Sequence, residues 1–399
     1  MTPEVRTKID QIRHGNVPEG YKKTKAGILP ADWAVCSIDE CLERVERPVN
    51  VQADEMYTQI GIRSHGKGLF YKDPVTGESL GNKAVYWIEP DCFVLNIVFA
   101  WEQAIGKTTA SEVGMIGSHR FPMYRPVDGK IDIDYLISYL MTKRGKDILE
   151  AASPGGAGRN RTLGQDRFMK SKIVLPTLDE QKKIAEILTT QDKVIELKEK
   201  LLAQKQRLKK YLAKQVFGNC QSTIPLSELA LITMGQSPSS ESYNTLFDGI
   251  PLIQGNADIL NRKPLPRMYT TVPTKICSPG DILISVRAPV GTVAKSTISA
   301  CIGRGICSIR PKSMSDYIYE YLLYYEDKWG RVSQGSTFES ISGDDIGKLP
   351  IPQCNESDRM AKMLTYADRE IELLHQDIEQ ERQKKKSLMQ LLLTGIVRV

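Results

Sequence analysis

Several stretches of this 399-residue chain hold the residue types from which reactive sites are built. Residues 61–68, GIRSHGKG, have the spacing of a phosphate-cradling loop, in which glycines bring backbone N–H groups to the phosphate and a Ser/Thr after the lysine holds Mg²⁺. Here Gly68 follows Lys67, so the magnesium ligand is missing. Gly106-Lys107-Thr108 has the right ending, but Trp101 stands where the first glycine must be. No G-x-G-x-x-G follows a strand-like run, which leaves dinucleotide or methyl-donor binding without Gly-rich support. N/D-P-P-Y/F, H-E-x-x-H and G-x-S-x-G are also absent from the sequence. His65 and His119 read as ordinary loop residues, and SPGGAGRNRT at 153–162 reads equally as a basic loop around a phosphate or as a linker. The eight cysteines form no C-x-x-C pair, and Cys36/Cys41 and Cys301/Cys307 are too widely spaced for zinc-finger ligation. They are expected to be buried thiols. The chain is equipped to bind and not to react, and no metal or other cofactor is expected.

What it could bind follows from charge. The net charge of +6 is mild, but it is unevenly placed. Residues 258–310 hold eight basic against two acidic side chains, and 143–172 hold eight against three. Two basic stretches suggest two polyanion-facing surfaces, although solvated scatter reads the counts equally well. No window approaches the roughly 18 apolar residues of a membrane span. MTPEVRTKIDQ has no apolar core behind its charges, so a cytoplasmic protein without membrane contact is expected.

The elements that must present these residues are organised by a duplication. IVLPTLDEQKKIAEILTTQDKVIEL, from Ile173, matches LPIPQCNESDRMAKMLTYADREIEL, from Leu349, at a constant offset of 176. Thr177 and Glu180 read as a capping box for the first copy, with Asn355 and Asp358 in those roles in the second. No Gly or Pro then interrupts either copy before Gly218 or Gly395, which predicts two helices of about 39 residues, roughly 58 Å each. Both carry one seam spaced by four and three, Ile184, Leu188, Gln191, Ile195, Lys198, Leu202, Lys205 and Lys209 in the first copy. The polar interruptions are read as solvated or snorkelling lysines, the alternative being residues that fix register or meet a third protein.

Outside the helices the halves are less alike but comparable. Glu89-Pro90-Asp91 and FVLNIVFA answer Ser278-Pro279-Gly280-Asp281 and ILISV. Gly106 is matched with Gly291, Arg125-Pro126 with Arg310-Pro311, and Tyr135 and Tyr139 with Tyr317 and Tyr321. Short β-branched runs between Gly and Pro turns, with one late helix, predict an α+β domain in each half. The loops between these landmarks share almost nothing, as two readers of different targets would need.

This architecture resembles the specificity (S) subunit of type I restriction–modification systems. The likeness is carried by ILPADW at 28–33, LPTLDEQKKIAEIL at 175–188, GDILISVRAPVGTVA at 280–294 and GSTFESISGDDIGKLPIP at 335–352, with the LLLTG-like helix ends. The second copy departs at Gln353-Cys354-Asn355-Glu356-Ser357, which bears on whether two partner contacts are equal. The resemblance implies an α+β fold of two globular target-recognition domains alternating with two long helices that pair as an antiparallel coiled coil. It divides the chain into a first target-recognition domain with an N-terminal helix (1–172), a first long-helix region (173–219), a second target-recognition domain (220–348) and a second long-helix region (349–399). It further implies a non-catalytic subunit in which each domain reads half of a split double-stranded DNA target. The helices would act as a ruler and dock two methylation subunits, with motor-nuclease subunits joining for cleavage. The expected DNA contacts are Arg63, Lys67 and Arg161 in the first domain and Arg262, Arg287 and Arg304 in the second. The expected partner-binding positions are Leu188, Ile195, Leu202, Leu364, Ile371 and Ile378. Rival readings are a related type II-like recognition subunit, a coiled-coil adaptor that touches only proteins, and a standalone nuclease or methyltransferase.

Overall fold

The computed structural model describes residues 2–155, 161–218, 220, 222–329, 340–353 and 356–399. The chain divides into two compact units, Met1–Leu197 with Ile378–Val399, and Lys198–Asp377. Each unit therefore holds one globular domain and one stretch of each long helix. The helices run over Leu178–Gly218, 41 residues, and Ser357–Leu392, 36 residues.

At the first helix start, the Thr177 hydroxyl accepts the Glu180 N–H at 3.4 Å, one half of the expected capping box. The other half does not form. The buried Glu180 carboxylate instead accepts from Trp33 Nε1 at 2.9 Å and from Arg398 Nε at 2.6 Å and Nη2 at 2.8 Å. A carboxylate taken out of water needs a charged partner, and Arg398 supplies one while also gripping Asp32 through both terminal nitrogens. The neighbouring Gln181 ties the helix to its domain, donating to the Lys130 and Pro176 carbonyls and accepting the Asp132 N–H. These bonds join ILPADW to the DEQ of the first helix, since Trp33 and Glu180 are one contact. Asn355, the expected second cap, lies outside the described residues. The second helix stops at Leu392, before a turn at Gly395 with φ of +71°, where a Cβ would lie 2.5 Å from Pro30.

The helices pair antiparallel within each unit. In the second unit Lys198 meets Asp377, Lys205 meets Glu370 and Lys209 meets Asp368, the numbers rising on one helix as they fall on the other. In the first unit Lys385 meets Asp192 and Gln191 Nε2 donates to Glu381 at 2.7 Å. The polar seam residues are thus not left to solvent; they pair across the helices and hold one register. The Lys209–Asp368 and Lys385–Asp192 pairs are one contact repeated, since each residue is carried onto its counterpart by the offset of 176.

The same repetition governs the domains. In the first unit strands Ile105–Lys107, Phe93–Leu95, Met123–Pro126 and Leu42–Val45 form an antiparallel sheet in that order. In the second, Val293–Lys295, Ile282–Ser285, Ile306–Pro311 and Ala230–Met234 do the same. Phe93, Val94 and Leu95 are all buried, as are Ile282, Leu283 and Ile284, because each central strand is covered on both faces. The turn before each carries a positive φ, at Asp91 and at Gly280. Beside each sheet, a strand at the domain's start pairs with the strand that leads into a long helix, Ala34–Ser37 with Lys172–Leu175 and Ser222–Pro225 with Pro350–Gln353. The late helices, Ile133–Leu140 and Ser315–Tyr325, present matched tyrosines: Tyr135 Oη donates to the Val174 carbonyl at 2.9 Å and Tyr317 Oη to that of Pro352 at 3.0 Å. They also present matched ion pairs, Lys107–Asp134 and Lys295–Asp316, both at 2.8 Å.

Candidate nucleic-acid interface

What differs between the domains is what they add to this scaffold. The first adds a hairpin, Ile60–Ile62 with Leu69–Tyr71, whose connecting loop holds Arg63 and Lys67. A Cβ on Gly61 would meet the Phe70 ring at 2.2 Å, so only glycine lets that ring cross the hairpin. Arg63 then stacks over Phe70 at 5.0 Å and donates to the Leu69 carbonyl at 2.7 Å. The loop is pinned by the His65 and Gly66 N–H groups to the carbonyls of Glu102 and Gln103, at 2.8 and 2.9 Å. Arg161 lies over the Trp101 ring at 5.4 Å, on the same short 3-10 helix, Ala100–Glu102. Arg63, Lys67 and Arg161, nearly a hundred residues apart in sequence, are therefore gathered about one turn, with Arg63 and Lys67 exposed. Half of the 153–162 loop, from 156 to 160, lies outside the described residues.

The second domain adds a five-stranded sheet and the small hairpin Ile259–Leu260/Lys263–Pro264. Beside it opens a cleft of about 440 Å³ whose lining includes Gln254, Asp258, Arg267, Arg287 and Arg304. One wall depends on Gly305, where a Cβ would come within 2.2 Å of the Gln254 carbonyl. Two of the three arginines expected here, Arg287 and Arg304, thus share one exposed rim.

Arg262 does not join them. At the hairpin turn, with φ of +62°, it folds back so that both terminal nitrogens bind the Glu326 carboxylate and Nη1 also donates to the Val293 carbonyl at 3.1 Å. Burial opposes its charge, but Glu326 outweighs that and raises its pKa further. Its charge is spent within the domain. The count over 258–310 misleads in the same way, because Lys263, Lys295 and Arg310 are paired with Glu372, Asp316 and Asp281. Asp281 is buried, which alone would raise its pKa, yet Arg310 and the Ser278 N–H pull it below the usual carboxylate range. Arg267, which the sequence leaves in the basic count, lines the cleft with Arg287 and Arg304. Its partner Asp258 lies nine positions earlier, across a recognisable hairpin, and that spacing was the available signal.

The seam positions chosen for partner binding face inward. Leu188 and Leu364 are buried in the cores of their units, Ile378 is buried, and Ile195, Leu202 and Ile371 are partly covered. A heptad seam is by construction the face a helix hides. The exposed apolar side chains of the second unit's helices are Leu201, Leu208, Tyr211, Met363, Tyr366 and Leu373.

Among the described residues no disulfide joins the cysteines, no helix is long and apolar enough to cross a membrane, and no cluster of metal-ligating side chains occurs. A duplicated α+β domain with a basic surface in each copy, alternating with paired long helices, is the architecture of a two-domain binding protein. The type I restriction modification DNA specificity domain matches residues 82–206 and 222–381, and the chain belongs to that family. It is 31% identical to the putative type I restriction enzyme MjaX specificity subunit of Methanocaldococcus jannaschii, over 96% of this chain and 97% of the relative. Its fold is that of the type I restriction–modification S subunit from M. genitalium, at 14% identity, with TM-score 0.61 over 90% of this chain and 96% of that one. A second solved chain, from work on complex assembly and conformational transition of the type I R-M system, gives TM-score 0.61 at 22% identity, covering 92% and 99%.

Proposed function

We propose that this chain chooses the DNA target of a type I restriction–modification complex without doing the chemistry, each globular domain reading one half of a split double-stranded site. The observation that carries this is a single scaffold, repeated down to its ion pairs, bearing two different basic surfaces: Arg63, Lys67 and Arg161 about one turn, and Arg287 and Arg304 on one cleft. Lys and Arg on phosphates give affinity, and a few base-edge contacts give specificity. Methylation subunits, two per chain, dock on the helical regions and bring the methyl donor and catalytic groups, and motor-nuclease subunits join for cleavage. The apolar side chains exposed on the second unit's helices support a protein partner there. The complex works in the cytoplasm, where its DNA lies.

The test is co-expression with the neighbouring methylation subunit, followed by native mass measurement and a methylation map. Two partner subunits per chain and a bipartite methylated motif are expected. A stable one-to-one complex at saturating partner, or methyl transfer by the purified chain alone given DNA and S-adenosylmethionine, would overturn the reading.

A further inference from the structure

The cleft of the second domain holds an arginine whose setting differs from that of every basic residue named above. Asp258 is 4% exposed, and each of its oxygens is committed: one accepts the Gln254 N–H at 2.8 Å and the other accepts Arg267 Nε at 2.9 Å. The Arg267 side chain is itself 65% exposed. A buried carboxylate must be paired to exist there, so Asp258 holds the guanidinium in one place on an otherwise open surface. The two residues flank the Ile259–Leu260/Lys263–Pro264 hairpin, and the Leu265 N–H donates to the Asp258 carbonyl at 2.7 Å, which fixes the hairpin base between them.

The manner of the contact decides its use. Arg262 spends both terminal nitrogens on Glu326, and Arg310 spends Nε and Nη2 on Asp281. Arg267 meets its carboxylate through Nε, and its terminal fork is left for a ligand at the cleft it lines with Arg287 and Arg304. A phosphate contact needs charge within reach but no fixed plane, and a mobile side chain serves it. A base contact needs two donors held in one plane, because the guanine O6 and N7 acceptors are matched by the fork of an arginine at fixed orientation. Orientation by a buried neighbour is how such geometry is held to the tolerance recognition requires.

We infer that Arg267 is a specificity-determining residue that reads a guanine in the half-site of the second domain. Asp258 is its positioning residue, and Arg287 and Arg304 contact the flanking phosphates. The inference rests on the DNA-reading function proposed above.

The experiment uses the full chain in complex with its methylation subunits, read out by methylation mapping and by binding at several salt concentrations. In Arg267→Ala one guanine of the second half-site becomes degenerate, with discrimination at that base falling about 10-fold or more and the first half-site unchanged. Arg267→Lys keeps the charge but loses the fork, so the same base stays degenerate while overall affinity largely recovers. Asp258→Asn relaxes the same base, and adding it to Arg267→Ala relaxes nothing further, which a merely structural role would not produce. Arg287→Ala and Arg304→Ala weaken all sequences evenly and lower the salt slope by about one each. Arg267→Ala with an unchanged motif, or with an even loss across sequences and a reduced salt slope, overturns the inference while leaving the function intact. If the wild-type complex methylates no defined bipartite motif, the underlying reading has failed instead.

Discussion

The two globular domains agree where a domain must fold and differ where it must read. Strand order, the pairing beside the long helix, the tyrosine that bonds that last strand and the lysine–aspartate pair on the late helix occur in both. The reading surfaces have no counterpart in each other: a hairpin loop pinned to a 3-10 turn in one, a cleft with a carboxylate-held arginine in the other. Even a matched residue diverges, since Arg310 is locked on buried Asp281 whereas Arg125 reaches Glu89 and Glu43 only at 3.9 and 4.0 Å. Backbone hydrogen bonds and buried apolar strands tolerate little change, while exposed loops are held by a few local contacts and are free to vary.

The strongest way to break this comparison is to exchange a reader. Replacing residues 224–347 with the corresponding domain of a relative should rewrite one half of the methylated motif completely and leave the other half untouched. A methylation map in which both halves change would show that the domains do not read independently.

The duplication was legible because the helical copies keep one offset over 25 residues, the Arg125-Pro126/Arg310-Pro311 match holds in the strand register, and Tyr135 and Tyr317 each bond the strand beside their late helix. The Gly106/Gly291 match does not hold. Phe93 pairs with Lys107 and Ile282 with Lys295, which sets Gly106 against Ala294; Gly291 instead sits at φ of +93° against Trp329. Glycine marks turns of many kinds, so its recurrence says little about register. Which arginines line the cleft was half legible. A charge count sees Arg262 and Arg267 alike, and only folding brings Glu326, 64 positions away, onto one and leaves the other's fork exposed. The positions expected to meet a partner lie inward because periodicity reports the face a helix hides and not its outer face.

A smaller effect tests whether the shared scaffold is energetically shared. Tyr135→Phe and Tyr317→Phe each remove one buried hydroxyl–carbonyl bond and leave a strand carbonyl without its donor. Each should cost about 1–3 kcal/mol, measured by denaturant unfolding of the unit concerned. A full-sized loss in one unit beside none in the other would mean that the duplicated bond has been superseded in one copy.

A third test sharpens a difference inside the scaffold. Glu320, on the late helix of the second domain, is buried beside Lys209, and Ser138 occupies the matched place in the first. Burial pushes the Glu320 carboxyl up to about 7, against the pull of Lys209 and with the help of Asp368. Between its ordinary 4.5 and about 7, the folded chain keeps a proton that the unfolded chain has released. Glu320 therefore stabilises the second unit fully below that interval, and the contribution is lost as pH rises through about 7. The unfolding midpoint of the second unit should fall between about pH 5 and about pH 8, and Glu320→Gln should flatten that fall. An unchanged slope in Glu320→Gln would remove Glu320 as its source.

The smallest effect belongs to the Lys107–Asp134 and Lys295–Asp316 pairs, and its size separates two explanations of why they recur. Their side chains are 30–53% exposed, so water and salt screen the attraction and holding two long side chains costs entropy. As stability devices they contribute under about 1 kcal/mol each, and Lys107→Met or Lys295→Met should shift the unfolding midpoint by no more than that. That shift should shrink further near 1 M salt. Each lysine ends the strand beside the central strand of its sheet, and each aspartate lies at the start of the late helix, so the pair joins sheet to helix near the tyrosine bond. If the pair serves chiefly to orient that helix, Lys107→Met should lower the cost of a subsequent Tyr135→Phe, and Lys295→Met that of Tyr317→Phe. A double-mutant cycle with no coupling in either domain would leave the recurrence as inheritance from the duplicated ancestor, with no present mechanical role.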